Sequence, residues 1–180
     1  MKKILLSFFC GTILLSCNNG KVEPDTTSVS TADSTVKSTV DLPYTASYSS
    51  SWSTDVSDAD LKMVLMTYKD WADNNMSGIE SAMADTVTWD MSSGDHKKLS
   101  KADLTKMFTN YRDSLSSVKI DMAGWQKMYA TDKKDGYVVT WYDETDTYKN
   151  GKVDSAAYHD INQVKDGKIV WYAQYKRPKK

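Results

Sequence analysis

The apolar and polar positions divide the chain into three stretches. Residues 4–15 form one short apolar run behind Lys2 and Lys3, and residues 18–53 are dominated by Ser and Thr with no helical or strand period. From Asp55 the chain becomes periodic. Ser57-Asp58-Ala59-Asp60 reads as a capping box, in which a serine oxygen accepts from an orphan N–H and an acid sits in the first turn. Leu61, Val64, Leu65, Tyr68, Trp71 and Ala72 follow at helical spacing, and Asn74-Asn75 ends that helix. A short second helix is predicted around Ile79, Ala82 and Met83. Thr86-Val87-Thr88-Trp89-Asp90-Met91 alternates as a half-buried strand does, and residues 92–99, with Gly94-Asp95-His96, read as a loop. Ser100-Lys101-Ala102-Asp103 is a second capping box, and Leu104, Met107, Phe108, Tyr111 and Leu115 make the apolar face of a third helix.

From Val118 the period changes to two. Val118, Ile120 and Met122 alternate, and Gly124 predicts a bulge in a long, bent strand. Asp135-Gly136, Asn150-Gly151 and Asp166-Gly167 predict hairpin turns, giving a four-strand antiparallel meander over residues 118–130, 137–148, 153–165 and 168–176. Helices first and a meander after is an α+β plan. With its segments Asp85-Thr86-Val87-Thr88-Trp89, Ser100 to Tyr111, and Val164-Lys165-Asp166-Gly167-Lys168-Ile169-Val170, the chain resembles the NTF2-like superfamily, including its SnoaL-like and ketosteroid-isomerase-like branches. The resemblance covers residues 55–176. It implies three N-terminal helices packed on a curved antiparallel sheet, a cone with an apolar pocket at its open end.

The first stretch carries an address. Lys2-Lys3, the apolar run and Leu14-Leu15-Ser16-Cys17 resemble a bacterial lipoprotein signal peptide with its lipobox, which implies that Cys17 is acylated and becomes the mature N-terminus. A membrane-spanning helix needs about 20 apolar residues, and Ser7, Gly11, Thr12 and Ser16 dilute this shorter run. An ordinary cleaved signal with a free Cys17 is the other alternative. The expected organisation is a signal peptide over residues 1–16, a lipidated cysteine and disordered tether over 17–54, and one domain over 55–180. Each buried acyl methylene contributes about 0.8 kcal/mol, so two or more chains hold a protein on a bilayer. A tether of about 35 residues has a mean span on the order of 30 Å, enough to hold the domain clear of the surface. By resemblance to the known sorting pattern, Asn18 after Cys17 favours the outer membrane. Asp25-Thr26-Thr27 and Asp33-Ser34-Thr35 resemble bacterial O-glycosylation sites, tripeptides that also arise by chance.

Composition narrows the function classes. The formal net charge is −1, and loss of Lys2 and Lys3 with the signal takes it to −3. That argues against a nucleic-acid footprint, which would be strongly basic. The two cysteines, Cys10 and Cys17, are respectively removed and lipidated, leaving the mature domain without a disulfide, a cysteine nucleophile or a thiolate metal site. Six Trp, eleven Tyr and nine Met promise an aromatic-rich core. The chain has no HExxH, glycine-rich phosphate loop, GxSxG elbow or EF-hand pattern, and nothing in the spacing requires His96 and His159 to converge on a metal. No cofactor is expected.

The candidate chemistry lies on the strands. His159 and Asp160 are strand neighbours and point to opposite faces, His159 with Ile161 and Asp160 with Tyr158 and Asn162. Either is a candidate pocket acid or base, and either is ordinarily a structural hydrogen-bonding group. In enzymes of the resembled superfamily a pocket carboxylate abstracts a proton alpha to a carbonyl, a role for which Asp90 is a candidate. Many catalytic relatives place His, Glu or Asp after Gly-Lys-Ile-Val; here Trp171-Tyr172-Ala173-Gln174-Tyr175 has none. The leading expectation is a non-catalytic domain binding a small apolar or aromatic ligand, or a protein partner, with Trp71, Trp89, Trp125, Trp141, His159 and Trp171 around the ligand. The alternative is an isomerase, dehydratase or hydrolase using Asp90, His159 or Asp160 as general acid or base. A structural dimer with a filled cone is a third class.

Trp141-Tyr142 and Trp171-Tyr172 place one aromatic on each sheet face. Trp141 joins Tyr137 and Val139 while Tyr142 joins Val138, and strict alternation puts Trp171 with Ile169 and Tyr175, and Tyr172 with Val170. A sheet apolar on both faces needs cover on both. Helices cover one, and a second copy of the chain is expected to cover the other.

Overall fold

The computed structural model describes residues 41–179; the expected signal peptide, the expected lipidation site at Cys17 and the expected tether through residue 40 lie outside the described residues. The elements are β1 (Trp52–Ser53), α1 (Asp58–Ala72), α2 (Met76–Ala82), β2 (Met83–Asp90), β3 (His96–Ser100), α3 (Lys101–Arg112), β4 (Leu115–Ala130), β5 (Asp135–Tyr148), β6 (Val153–Lys165) and β7 (Lys168–Pro178). They form one seven-stranded sheet in the order β1-β4-β5-β6-β7-β2-β3.

Both capping boxes form. The Ser57 hydroxyl accepts from the Asp60 N–H at 3.0 Å and the Ser100 hydroxyl from the Asp103 N–H at 3.1 Å, each satisfying an orphan donor of the first turn. Asn74 turns back at φ 60°, and Asn75 caps α2. The far end of α1 is closed from α3. The buried Arg112 donates to the carbonyls of Trp71 and Ala72, each at 3.1 Å, so a fixed positive charge meets the negative end of the helix. The helices lay Val64 and Tyr68, Ile79, and Leu104 against Val87, Val138, Tyr142 and Ile169 of the inner sheet face.

The α+β class and the four-strand meander stand as expected, and the register shift between Met122 and Gly124 is the predicted bulge. The sheet departs from the expected plan in several places. It is not wholly antiparallel: β2 runs parallel to β7, with Thr88 opposite Trp171 and Asp90 opposite Ala173. The expected loop over residues 92–99 is half strand, because β3 pairs with β2 from Thr86↔Ser100 to Asp90↔His96. As a charged edge strand it covers only one partner and leaves little alternation to read. Leu115 opens β4 rather than closing α3.

Asp166-Gly167 forms the expected two-residue turn, both at positive φ. Asp135-Gly136 does not. That turn lies over residues 131–134 with Lys134 at φ 61°, and Asp135-Gly136 are already strand. Space beside Gly136 is tight there, since a Cβ would sit 3.3 Å from Val164 Cγ2. Ile169 and Trp171 also part company. Ile169 pairs with Val164 and Trp171 with Gln163, leaving Val170 as an extra residue. Ile169 is thereby core and Trp171 faces outward, against strict alternation.

A folded unit begins at Leu42, ahead of the expected Asp55. Trp52 pairs with Ala130, and the Tyr48 hydroxyl bonds to that of Tyr137 at 2.8 Å. The segment is polar and too short to carry a period, so its attachment is a tertiary property.

Candidate functional site: an aromatic cone with buried carboxyls

The inner face of β5–β7 and the helices enclose a cavity of about 380 Å³. α1 contributes Thr67, Tyr68 and Trp71; α2 contributes Ile79; β2 and the residues after it contribute Met83, Trp89, Met91 and Ser92. α3 adds Met107, Phe108 and Tyr111, and the sheet adds Tyr142, Glu144, Tyr158, Asn162, Tyr172, Gln174 and Lys176. The rings are mutually ordered. Tyr142 stacks on Tyr158 at 5.2 Å between centroids, Tyr68 meets Tyr142 edge-on at 4.9 Å, and Trp89 meets Phe108 edge-on at 5.3 Å.

Behind the rings lies a polar node on Asp160, which is fully buried. Its Oδ2 accepts from the hydroxyls of Tyr142 and Tyr172, both at 2.8 Å, and from Tyr68 at 3.1 Å. Asn162 donates to the Tyr68 hydroxyl at 3.1 Å and Gln174 to that of Tyr172 at 2.8 Å. Asp160 Oδ1 is buried without a partner. Burial pushes the Asp160 carboxyl up to about 7, while the hydrogen bonds from Tyr172, Tyr142 and Tyr68 pull against it.

Two further carboxyls follow on β5. Glu144 lines the cavity, and burial, with Asp146 and Asp160 close by, pushes it up to about 8. Asp146 is also raised by burial, although Tyr111 donates to its Oδ2 at 3.0 Å. Among the described residues no Lys, Arg or His lies within ion-pair distance of Glu144, Asp146 or Asp160. The nearest cation on the lining, Lys176, pairs with Asp154 at 3.2 Å and sits over the Tyr158 ring.

Of the aromatic residues expected around a ligand, Trp71 and Trp89 line the cavity. The others do not. Trp125, 52% exposed, is on β4 away from the lining. Trp141 and His159 stack on each other on the outer sheet face, at 5.1 Å, with Tyr175 beside His159. Trp171 lines a separate outer-face groove with Tyr48, Trp52, Tyr137 and Ile161. Asp90 is outside the cavity too. Its carboxyl takes hydrogen bonds from His96 and, at 2.7 Å, from Trp171 Nε1, and these, His96 foremost, hold it below the usual carboxylate range against the effect of burial. Of the three acid–base candidates only Asp160 is on the cavity side, and there it stands behind the tyrosines. Glu144 is the residue sequence reading missed; its two-residue offset from Tyr142 places it on that side.

No protein-family model and no curated protein matches the sequence. Solved structures do match in fold. A Burkholderia pseudomallei NTF2-like protein of unknown function is 12% identical with a TM-score of 0.55, over 67% of this chain and 92% of that one. This chain has the NTF2-like fold. A Catenulispora acidiphila protein with a ketosteroid-isomerase-like fold, solved in complex with trimethylamine, superposes on the NTF2-like cone with a TM-score of 0.53 at 11% identity, over 63% of this chain and 84% of that one. An LEH-like epoxide hydrolase of M. tuberculosis does so with a TM-score of 0.56 at 8% identity, over 66% and 83%.

Proposed function

We propose that this protein is a cell-envelope lipoprotein, acylated at Cys17 and held on the outer membrane, whose NTF2-like cone binds a small, largely apolar and aromatic molecule. The observation that supports binding is the cavity. Its volume of about 380 Å³ and its ring-lined wall with a few convergent polar groups match the character of small-molecule sites. The chain carries its anchor ahead of a Ser/Thr-rich tether, which supports delivery of the cone to a membrane surface. The outer sheet face, where His159 meets both Trp141 and Tyr175, supports pairing of two copies there.

A second reading is favoured by Glu144. A carboxyl pushed up to about 8 holds its proton at neutral pH and releases it nearby, which is what a general acid or base needs. The fold also houses an epoxide hydrolase in M. tuberculosis, but function belongs to the site rather than the fold.

A screen of aromatic compounds against the domain, followed by tryptophan fluorescence and by product formation, separates the two. Binding without product is expected. Turnover abolished by Glu144→Gln with the fold intact would establish the enzyme, and Asp90→Asn and His159→Gln, outside the cavity, are the comparison variants. Intact mass of the membrane fraction tests the anchor: an acylated Cys17 is expected, and Cys17→Ser should release or mis-sort the protein.

A further inference from the structure

We infer that the cavity takes an organic cation, a quaternary or protonated amine on a compact hydrocarbon body. This rests on the cavity being a ligand site and adds the class of ligand.

The first ground is hydrogen-bond direction. A phenol has one proton. Tyr142 and Tyr172 donate theirs to Asp160 Oδ2, as Tyr68 does at 3.1 Å. The amide N–H groups of Asn162 and Gln174 are turned to the phenol oxygens and to the Val138 carbonyl. At the Asp160 node the phenol protons and amide N–H groups are therefore already committed, and what remains there to offer is oxygen lone pairs.

The second ground is charge. Glu144 lines the cavity, Asp160 and Asp146 stand behind it, and the last two each keep one buried oxygen without a partner. Buried carboxyls are ordinarily paired with a cation or kept protonated. The chain offers these three no ion pair among its described residues, and the one cationic residue on the lining, Lys176, is engaged by Asp154.

The third ground is the wall. Ring faces carry the negative end of a quadrupole and attract a cation within about 6 Å. Tyr68, Trp71, Tyr142 and Tyr172 share the lining with Glu144, while Tyr158 already carries Lys176 over its ring. A neutral hydrocarbon would use the rings alone. A cation uses the rings and the Glu144 carboxylate, with the negative charge of Asp160 and Asp146 behind them. The buried Trp89 Nε1–H has no partner and leaves room for one acceptor on the ligand.

The test compares phenyltrimethylammonium, whose charge does not titrate, with its uncharged isostere tert-butylbenzene. Tryptophan fluorescence reads both, since Trp71 and Trp89 line the cavity. At about pH 9 the cation is expected to bind about tenfold or more tighter than the isostere. That preference should shrink at about pH 6, where Glu144 is protonated. The titratable and charged groups packed around Glu144 are Tyr142 and Asp146 on β5, Asp154, Tyr158 and Asp160 on β6, Tyr172 and Lys176 on β7, Tyr68 on α1 and Tyr111 on α3; of these, Asp160, pushed up to about 7, changes charge in the same window. Glu144→Gln should remove the preference, read as the ratio of the two affinities within each protein, and Asp146→Asn should weaken it if the first variant does not fold. Equal or tighter binding of tert-butylbenzene overturns the inference and leaves the cavity as an apolar site. So does a preference unchanged in a folded variant. Absence of binding by both probes overturns the ligand-site reading and the inference with it.

Discussion

Glu144 and Asp160 give the residue scale a measurable signature. Both hold a proton more tightly in the folded chain than in the unfolded one, from ordinary values of 4.5 and 3.8 to about 8 and about 7. The folded state thus binds more protons between those limits, and stability falls as pH rises through them. The full stability is present below about pH 4 and the loss is complete near pH 8, at a slope on the order of 1 kcal/mol per pH unit for each group. Thermal melts between pH 5 and 8 should show the decline, and Glu144→Gln should flatten its upper part. A melting temperature that rises across this window would contradict the buried carboxyls. Alternation along β6 is enough by itself to assign His159 and Asp160 to opposite faces, because strand period is a local property. The roles of Trp141 and Trp171 are not legible in the same way. Counting aromatics says how much ring surface exists, and only the sheet's two faces say which rings meet the cavity.

At the scale of elements, the junction of α1 and α2 is the tightest local fit. Asn75 Nδ2 donates to Asp70 Oδ1 at 2.8 Å, and a Cβ on Gly78 would lie 2.2 Å from Asp70 Oδ2. Gly78→Ala must displace this buried carboxylate, so despite the better helix propensity of alanine it should cost about 1–3 kcal/mol. Denaturant unfolding checks this, and an unchanged or raised midpoint would show that the junction yields freely. Helices α1 and α3 are legible in the sequence because Ser57 and Ser100 announce their starts and apolar positions recur behind them. β3 is not, since its lysines face solvent and its one half-buried apolar residue, Leu99, makes no pattern. The displaced β4–β5 turn has a similar cause. Asp135-Gly136 has hairpin chemistry, yet Gly136 is paired with Val164 in the strand and packs beside Val56 and Val164.

For the whole molecule, two outcomes follow from the surfaces outside the cone. The domain beginning at Leu42 should be more stable than one beginning at Asp55, because the shorter chain loses the Tyr48 and Trp52 contacts with Tyr137. Differential scanning calorimetry of the two lengths decides it, and equal midpoints would make the attached segment ornamental. Sedimentation at tens of micromolar, on the order expected for weak association, should show a dimer that Trp141→Ser weakens. A strictly monomeric profile would leave the outer face free.

The single parallel pairing in the sheet also governs how the molecule comes into being. β2 and β3 have no neighbour in the sheet except through β7, and the Trp171–Asp90 contact joins residues 81 apart. Local hairpins from β4 through β7 can close early, but the hairpin carrying Trp89 must wait for the last strand before it is seated. Such distant pairing slows folding. A chain that emerges from its N-terminus first therefore completes the wall of its cavity only when nearly all of it has been released, and the cavity is the last part of the molecule to exist.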